Sequence, residues 1–343
     1  LPFPAPSGRF KVGTVELHLV DRNRTDPYAP TMQNRDLMVQ LFYPTKRTKG
    51  YPLSSYMPKG TAEIYNQILE LANNTIQRVK IQAYRGAPIA NSNLPIVIFS
   101  PGLGVSRCLC TASVLDMASR GYLVVAIDHP YDTGIVEFPD GRLVLGVLLD
   151  PTLEQTEKAV LVRTQDASFV LDLLGTSESR RLIPGLRQKL NTHEVVMFGH
   201  SLGGAASASA MLTDTRIIGG VNLDGWFWGP VVDQGLDRPF LMISSSQVEI
   251  DPANTWPRLW SKLRAWRFEL QLADSEHMTF SDWPLLIDVF NLTKASVGSI
   301  NGARAMEIQQ AYIAAFTESV FRHKIAKLLL GPDSRYPEIS FKH

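Results

Sequence analysis

The stretch His193-Glu194-Val195-Val196-Met197-Phe198-Gly199-His200-Ser201-Leu202-Gly203-Gly204-Ala205 restricts this chain to few folds. A short β-rich apolar run enters it, and a small-residue segment leaves it as a helix. Between them, Gly199-His200-Ser201-Leu202-Gly203 fits the G-x-S-x-G pattern. A serine on so sharp a strand-to-helix turn projects its hydroxyl outward, and glycines on either side let the two backbones close up without Cβ collisions. Ser201 is the candidate nucleophile. Five letters alone are weak, because a Gly-rich turn whose serine caps the next helix looks the same. The strand before and the small-residue helix after carry the reading.

Strands and helices alternate around this stretch. Residues 13–20 and 36–44 are β-rich, the latter alternating Leu37, Val39, Leu41 and Tyr43 against Met38, Gln40 and Phe42. Further strands are expected at 94–100, 122–127, 194–198, 217–223, 238–244 and 264–272. Helices are expected at 107–120, 156–174, 202–212 and 303–330. The segment around 50–90 interrupts the strands with Ile64, Ile68, Ala72 and Ile76 at fourfold spacing, which predicts an amphipathic helix lying over one end of the sheet, either simply packed there or serving as a lid or a lipid contact. The expected class is α/β in a single domain over 1–343. Its mainly parallel central sheet has helices on both faces and antiparallel strands at the N-terminal end. In such sheets ligands bind beyond the carboxyl ends of the strands.

A serine needs a histidine to take its proton and an acid to hold that histidine in one tautomer. His18, His193, His323 and His343 read as surface or packing residues, and His200 should point away from the Ser201 hydroxyl. That leaves His129 and His277. Strand-turn-helix hydrolases run Ser, then acid, then His in the loop after the last strand, which selects His277 over His129. Two acids lie at the correct edge: Asp224, ending the strand after the nucleophile helix, and Asp251, in a longer loop. Asp224 is preferred because an apolar segment that carries a carboxylate implies a fixed partner for it. The backbone amide of Leu202 supplies one oxyanion donor, and Leu103, in the turn Ser100-Pro101-Gly102-Leu103-Gly104, is chosen for the other. Trp226, Phe227, Trp228 and Met278 flank the acid and base and are candidates to line an acyl pocket.

Composition excludes several alternatives. Lys and Arg total 34 against 33 Asp and Glu, a formal charge of +1 over 343 residues, so no bulk field selects nucleic acid. Apolar runs such as 95–99 and 143–149 fall far short of the ~20 residues that span a bilayer. Cys108 and Cys110 are two apart on a predicted helix, where a disulfide would be strained, and read as reduced; no metal or cofactor is expected. The opening Leu1-Pro2-Phe3-Pro4, without an initiator methionine, suits a mature secreted protein, and sequons at Asn23, Asn73 and Asn291 suit a glycoprotein.

The segments Ile98-Phe99-Ser100-Pro101-Gly102-Leu103-Gly104, Gly199-His200-Ser201-Leu202-Gly203-Gly204, Leu223-Asp224-Gly225-Trp226 and Ser275-Glu276-His277 resemble, in order, the platelet-activating factor acetylhydrolase family of the plasma and intracellular type II kind, within the α/β-hydrolases. The resemblance implies Ser201 as nucleophile, Asp224 rather than Asp251 as acid, His277 as base, and the Leu103 and Leu202 amides as oxyanion hole. It also implies calcium-independent hydrolysis of short or oxidised sn-2 acyl groups of phospholipids; contact with a lipid-water interface is a separate expectation, and it attaches to the amphipathic segment around 50–90. One departure is Pro101, where many relatives have histidine. The alternative activities are a broad short-chain carboxylesterase or polyester hydrolase, and, from a different class, a hydrolase-fold binding protein without catalysis.

Overall fold

The structure, a computed structural model, describes residues 3–246, 253–293 and 295–343. Asp251, the alternative acid, lies outside the described residues. The chain divides into two compact units, one of residues 1–98, 103–151 and 166–192, the other of 99–102, 152–165 and 193–343. Two of their boundaries, after Ile98 and after Gln165, fall inside a strand and a long helix.

In the first unit the strands are β1 (Lys11–Thr25), β2 (Asn34–Thr45), β3 (Leu53–Ser55), β4 (Lys80–Arg85), most of β5 (Ile96–Ser100) and β6 (Leu123–Asp128), with a separate hairpin of β7 (Ile135–Glu137) and β8 (Leu143–Leu145). β2 pairs antiparallel with both β1 and β6, from Lys11 opposite Thr45 and from Met38 opposite Asp128. Residues Leu37 to Thr45 are buried without a break, so the expected alternation gives way to a strand covered on both faces.

The segment 50–90 differs from expectation. Its helix is Lys59–Ile68 only, since Leu69 ends it and Glu70 turns into the left-handed region at φ 51. Ala72 and Ile76 therefore fall off the predicted stripe, and Ile76 is buried in a 3-10 turn instead. Beyond it β4 runs parallel to β1, with Val12 opposite Ala83, and β3 pairs with β4. The segment extends the sheet edge rather than only lying over it.

The second unit holds β9 (Val195–His200), β10 (Ile217–Leu223), β11 (Phe240–Ser244), β12 (Arg267–Leu272) and β13 (Ile339–Phe341), in the order β13-β12-β11-β10-β9 with the end of β5 beyond β9. β9 to β12 are parallel, and β13 caps the edge antiparallel. Val195, Val196, Met197 and Phe198 have no exposed surface. The helix Leu202–Thr213 can lie close to these strands because it presents Gly203, Gly204, Ala205, Ala206 and Ala208. The closing helix is Gly302–Arg322, shorter than predicted: His323 takes φ 51, and the Lys324 N–H returns to the Ser319 carbonyl, which stops the helix before Leu330. The architecture is the α/β class expected, a large, mostly parallel sheet flanked by helices with antiparallel strands toward the N-terminus.

Candidate active site

β9 delivers Ser201 onto the turn at φ 55 and ψ −123, a conformation that a non-glycine residue adopts at a cost of about 1–3 kcal/mol. Neighbours hold it there. The Ser201 N–H donates to the Leu223 carbonyl at 2.8 Å, and the Ser201 carbonyl accepts from Gly204 at 2.9 Å. A Cβ on Gly203 would lie 1.9 Å from the Ser100 oxygen, and one on Gly225 would lie 2.0 Å from the Ser201 oxygen, so both positions demand glycine. The elbow is thus wedged between the end of β5 and the end of β10.

β10 carries Asp224 to the same edge. Its φ of 57 is fixed by an N–H bond to Ile243 and by Asn222, whose side chain brackets Gly225 from both its N–H and its carbonyl. Asp224 Oδ1 accepts the Ser245 N–H at 2.7 Å, and Oδ2 accepts from His277 Nδ1 at 2.7 Å. An imidazole that gives its Nδ1 proton to a carboxylate keeps its lone pair on Nε2, as a general base requires. His277 opens a 3-10 turn after β12, where Glu276 and Thr279 cap each other's backbone. The His277 side chain is 29% exposed and that of Asp224 is 9% exposed.

His200 is fully buried, and its ring lies 4.8 Å from the His277 ring. Its Nε2 donates to the His277 carbonyl at 2.9 Å. Burial first, then the neighbouring His277 and Arg163, push the His200 imidazole down to about 3, outweighing that hydrogen bond. It holds the base's backbone as a neutral ring.

Leu202 heads its helix, and the Ser100–Gly104 turn follows β5 as predicted. Gly104 adopts φ +70 and gives its N–H to Asp132. Arg163 was not predicted for this site. Its guanidinium is fully buried and reaches the hydroxyl of Ser100 and the carbonyls of Pro101 and Gly102. The signal was available, because Arg163 lies four residues from both Ala159 and Ala167, on the buried stripe of its helix.

The other candidates separate. Phe227 is wholly buried against Phe240 and Trp256, in the core rather than facing a substrate, because its N–H is tied to Thr255 and its ring turns inward. Trp226 and Trp228 are half-buried, 6.2 Å apart, and Met278 is half-buried beside the base. His129 pairs with Asp166 in the first unit. Asn23, Asn73 and Asn291 are all exposed. Both cysteines are buried thiols, and burial pushes the Cys108 thiol up to about 12. Among the described residues no cluster of three His, Cys, Asp or Glu side chains could hold a metal ion, and no helix is long and apolar enough to cross a membrane.

A serine elbow and a carboxylate-held histidine, each following a strand of a parallel sheet, fit the α/β-hydrolase class, and this chain is a carboxylic-ester hydrolase of that class. Within the class, residues 2–137 and 170–325 match the sequence model of the family "platelet-activating factor acetylhydrolase, isoform II", and the chain belongs to that family. It is 32% identical over 381 residues to a probable 1-alkyl-2-acetylglycerophosphocholine esterase of Arthroderma benhamiae, covering 98% of this chain and 93% of that one. It is 28% identical over 287 residues to the platelet-activating factor acetylhydrolase of Bos taurus, covering 73% and 61%. The structure is also similar to that of a ferulic acid esterase from Streptomyces cinnamoneus, with a TM-score of 0.88, 34% identity and coverage of 100% and 99%.

Proposed function

We propose that this protein hydrolyses short-acyl esters through an acyl-enzyme on Ser201. His277 Nε2 takes the Ser201 proton as Oγ attacks the ester carbonyl carbon. The Leu202 and Leu103 amides meet the oxyanion, and His277 returns the proton to the departing alcohol. Water, deprotonated by the same nitrogen, then releases the acid. The observation that carries this reading is the 2.7 Å bond from His277 Nδ1 to Asp224, which leaves Nε2 as the base.

The leading substrates are phospholipids with short or oxidised sn-2 acyl groups, taken at a lipid-water interface. Membership of the family supports this, as does the full-length similarity to the Arthroderma protein. We further propose secretion and glycosylation at the exposed Asn23, Asn73 and Asn291. A second reading, a broad carboxylesterase that accepts aromatic or polymeric esters, is favoured by the whole-chain similarity to the ferulic acid esterase and by the half-buried Trp226 and Trp228 beside the acid.

A fluorophosphonate should label Ser201 and leave Ser201→Ala unlabelled and inactive; activity surviving in Ser201→Ala would refute the acyl-enzyme. Turnover of a short-acyl phosphatidylcholine should exceed that of methyl ferulate. Hydrolysis of p-nitrophenyl butyrate and methyl ferulate with none of the phospholipid would transfer the assignment to the second reading.

A further inference from the structure

We infer that Arg163 is a positioning residue that aims the oxyanion amide of Leu103. This rests on the serine-esterase reading above. Arg163 Nη1 donates to Ser100 Oγ at 3.0 Å and to the Pro101 carbonyl, and Nη2 donates to the Gly102 carbonyl at 3.2 Å. One planar cation therefore holds three successive oxygens. Its fork geometry makes that possible, and lysine's single ammonium cannot match it.

The consequence follows from the peptide plane. In a trans peptide the C=O of Gly102 and the N–H of Leu103 are antiparallel. A guanidinium fixed on the carbonyl side directs that N–H away from Arg163, and hydrogen bonding at the oxygen polarises the N–H further. Gly203 closes the other side of the same turn, since a Cβ there would meet the Ser100 and Pro101 oxygens at 1.9 and 2.6 Å. The turn is thus gripped between the nucleophile's own helix and Arg163, and an oxyanion donor gains most when it is fixed before the charge develops. Arg163 also lies between the two stretches that match the family, 2–137 and 170–325.

Arg163→Met keeps the apolar stem and has no donor. With p-nitrophenyl butyrate its kcat should fall roughly 10- to 100-fold at unchanged KM, because only transition-state stabilisation is lost. Phosphonylation of Ser201 should slow in step, and Arg163→Lys should recover part of kcat. A folded Arg163→Met enzyme with wild-type kcat, or with its whole loss in KM, overturns the inference. Absence of Ser201 labelling in the wild type would instead defeat the serine-esterase reading itself. One measurement needs no variant to fold: a carbonyl that accepts from a guanidinium deshields the next amide nitrogen. The Leu103 15N resonance should therefore lie downfield of its position in a linear Ser-Pro-Gly-Leu-Gly peptide, and an unshifted resonance also overturns the inference.

Discussion

Two of the histidine–aspartate pairs in this protein, both made through Nδ1, share nearly one hydrogen bond and differ in everything around it. His277 Nδ1 meets Asp224 at 2.7 Å, and His129 Nδ1 meets Asp166 at 2.8 Å. His129 and Asp166 have no exposed side-chain surface. Asp166 also takes Arg24 at 2.7 Å and Arg35 at 2.8 Å, and Arg35 continues to Asp26. Burial would push the Asp166 carboxyl up, but the Arg35 charge and the hydrogen bonds from His129 and Arg35 outweigh it and hold it well below the usual carboxylate range. Asp224 instead accepts from the neutral Ser245 amide and from His277, and its histidine stays partly open. The bond alone does not make a catalytic pair. A general base needs a partner that orients it and a face that substrate can reach.

The largest expected effects come from removing each carboxylate charge in turn. Asp224→Asn should lower kcat by roughly 10⁴-fold, because the imidazole loses its tautomer, with far less effect on folding. Asp166→Asn should do the reverse. It leaves Arg35 and Arg24 without their shared anion at a cost of about 3–5 kcal/mol in urea unfolding, while kcat per folded molecule changes little. If Asp166→Asn abolished turnover of fully folded enzyme, or Asp224→Asn left it intact, the two pairs would have been given the wrong roles.

Much of the proposed catalytic pair was legible in the chain because its chemistry fixes residue types at strand ends. Asp224 follows an apolar run that is β10, and His277 follows the last parallel strand, so order along the chain carried their placement. Helical spacing puts Arg163 on a buried stripe, but what it holds lies 61 to 63 residues away, and no local periodicity reports those partners. The region 50–90 misled for a related reason. Ile64, Ile68, Ala72 and Ile76 keep helical spacing, yet Glu70 turns left-handed and the residues from Lys80 find a better partner in β1. Non-local pairing overrode local pattern, as it did at Leu37 to Thr45, where burial on both faces erased the alternation. Phe227 shows the converse limit: position beside the acid suggested a pocket, but only packing could tell which way the ring turns.

A third histidine sharpens the contrast between the two pairs by having no carboxylate. His200 is as buried as His129, but its Nε2 donates to a neutral carbonyl, which only partly offsets the burial penalty on its charged form, and its pKa is pushed down to about 3. The folded protein then binds fewer protons at this site than the unfolded chain does, in which histidine titrates near 6.5. Stability tied to His200 is complete above pH 6.5 and declines as pH falls toward 3, by about 1.4 kcal/mol per unit. Urea unfolding of the wild type should therefore lose about 2 kcal/mol between pH 6.5 and 5 that His200→Asn does not lose. Equal slopes for the two proteins would mean that His200 gains its proton in the folded state as readily as in the unfolded one, and that burial without an anion is not what separates it from His129.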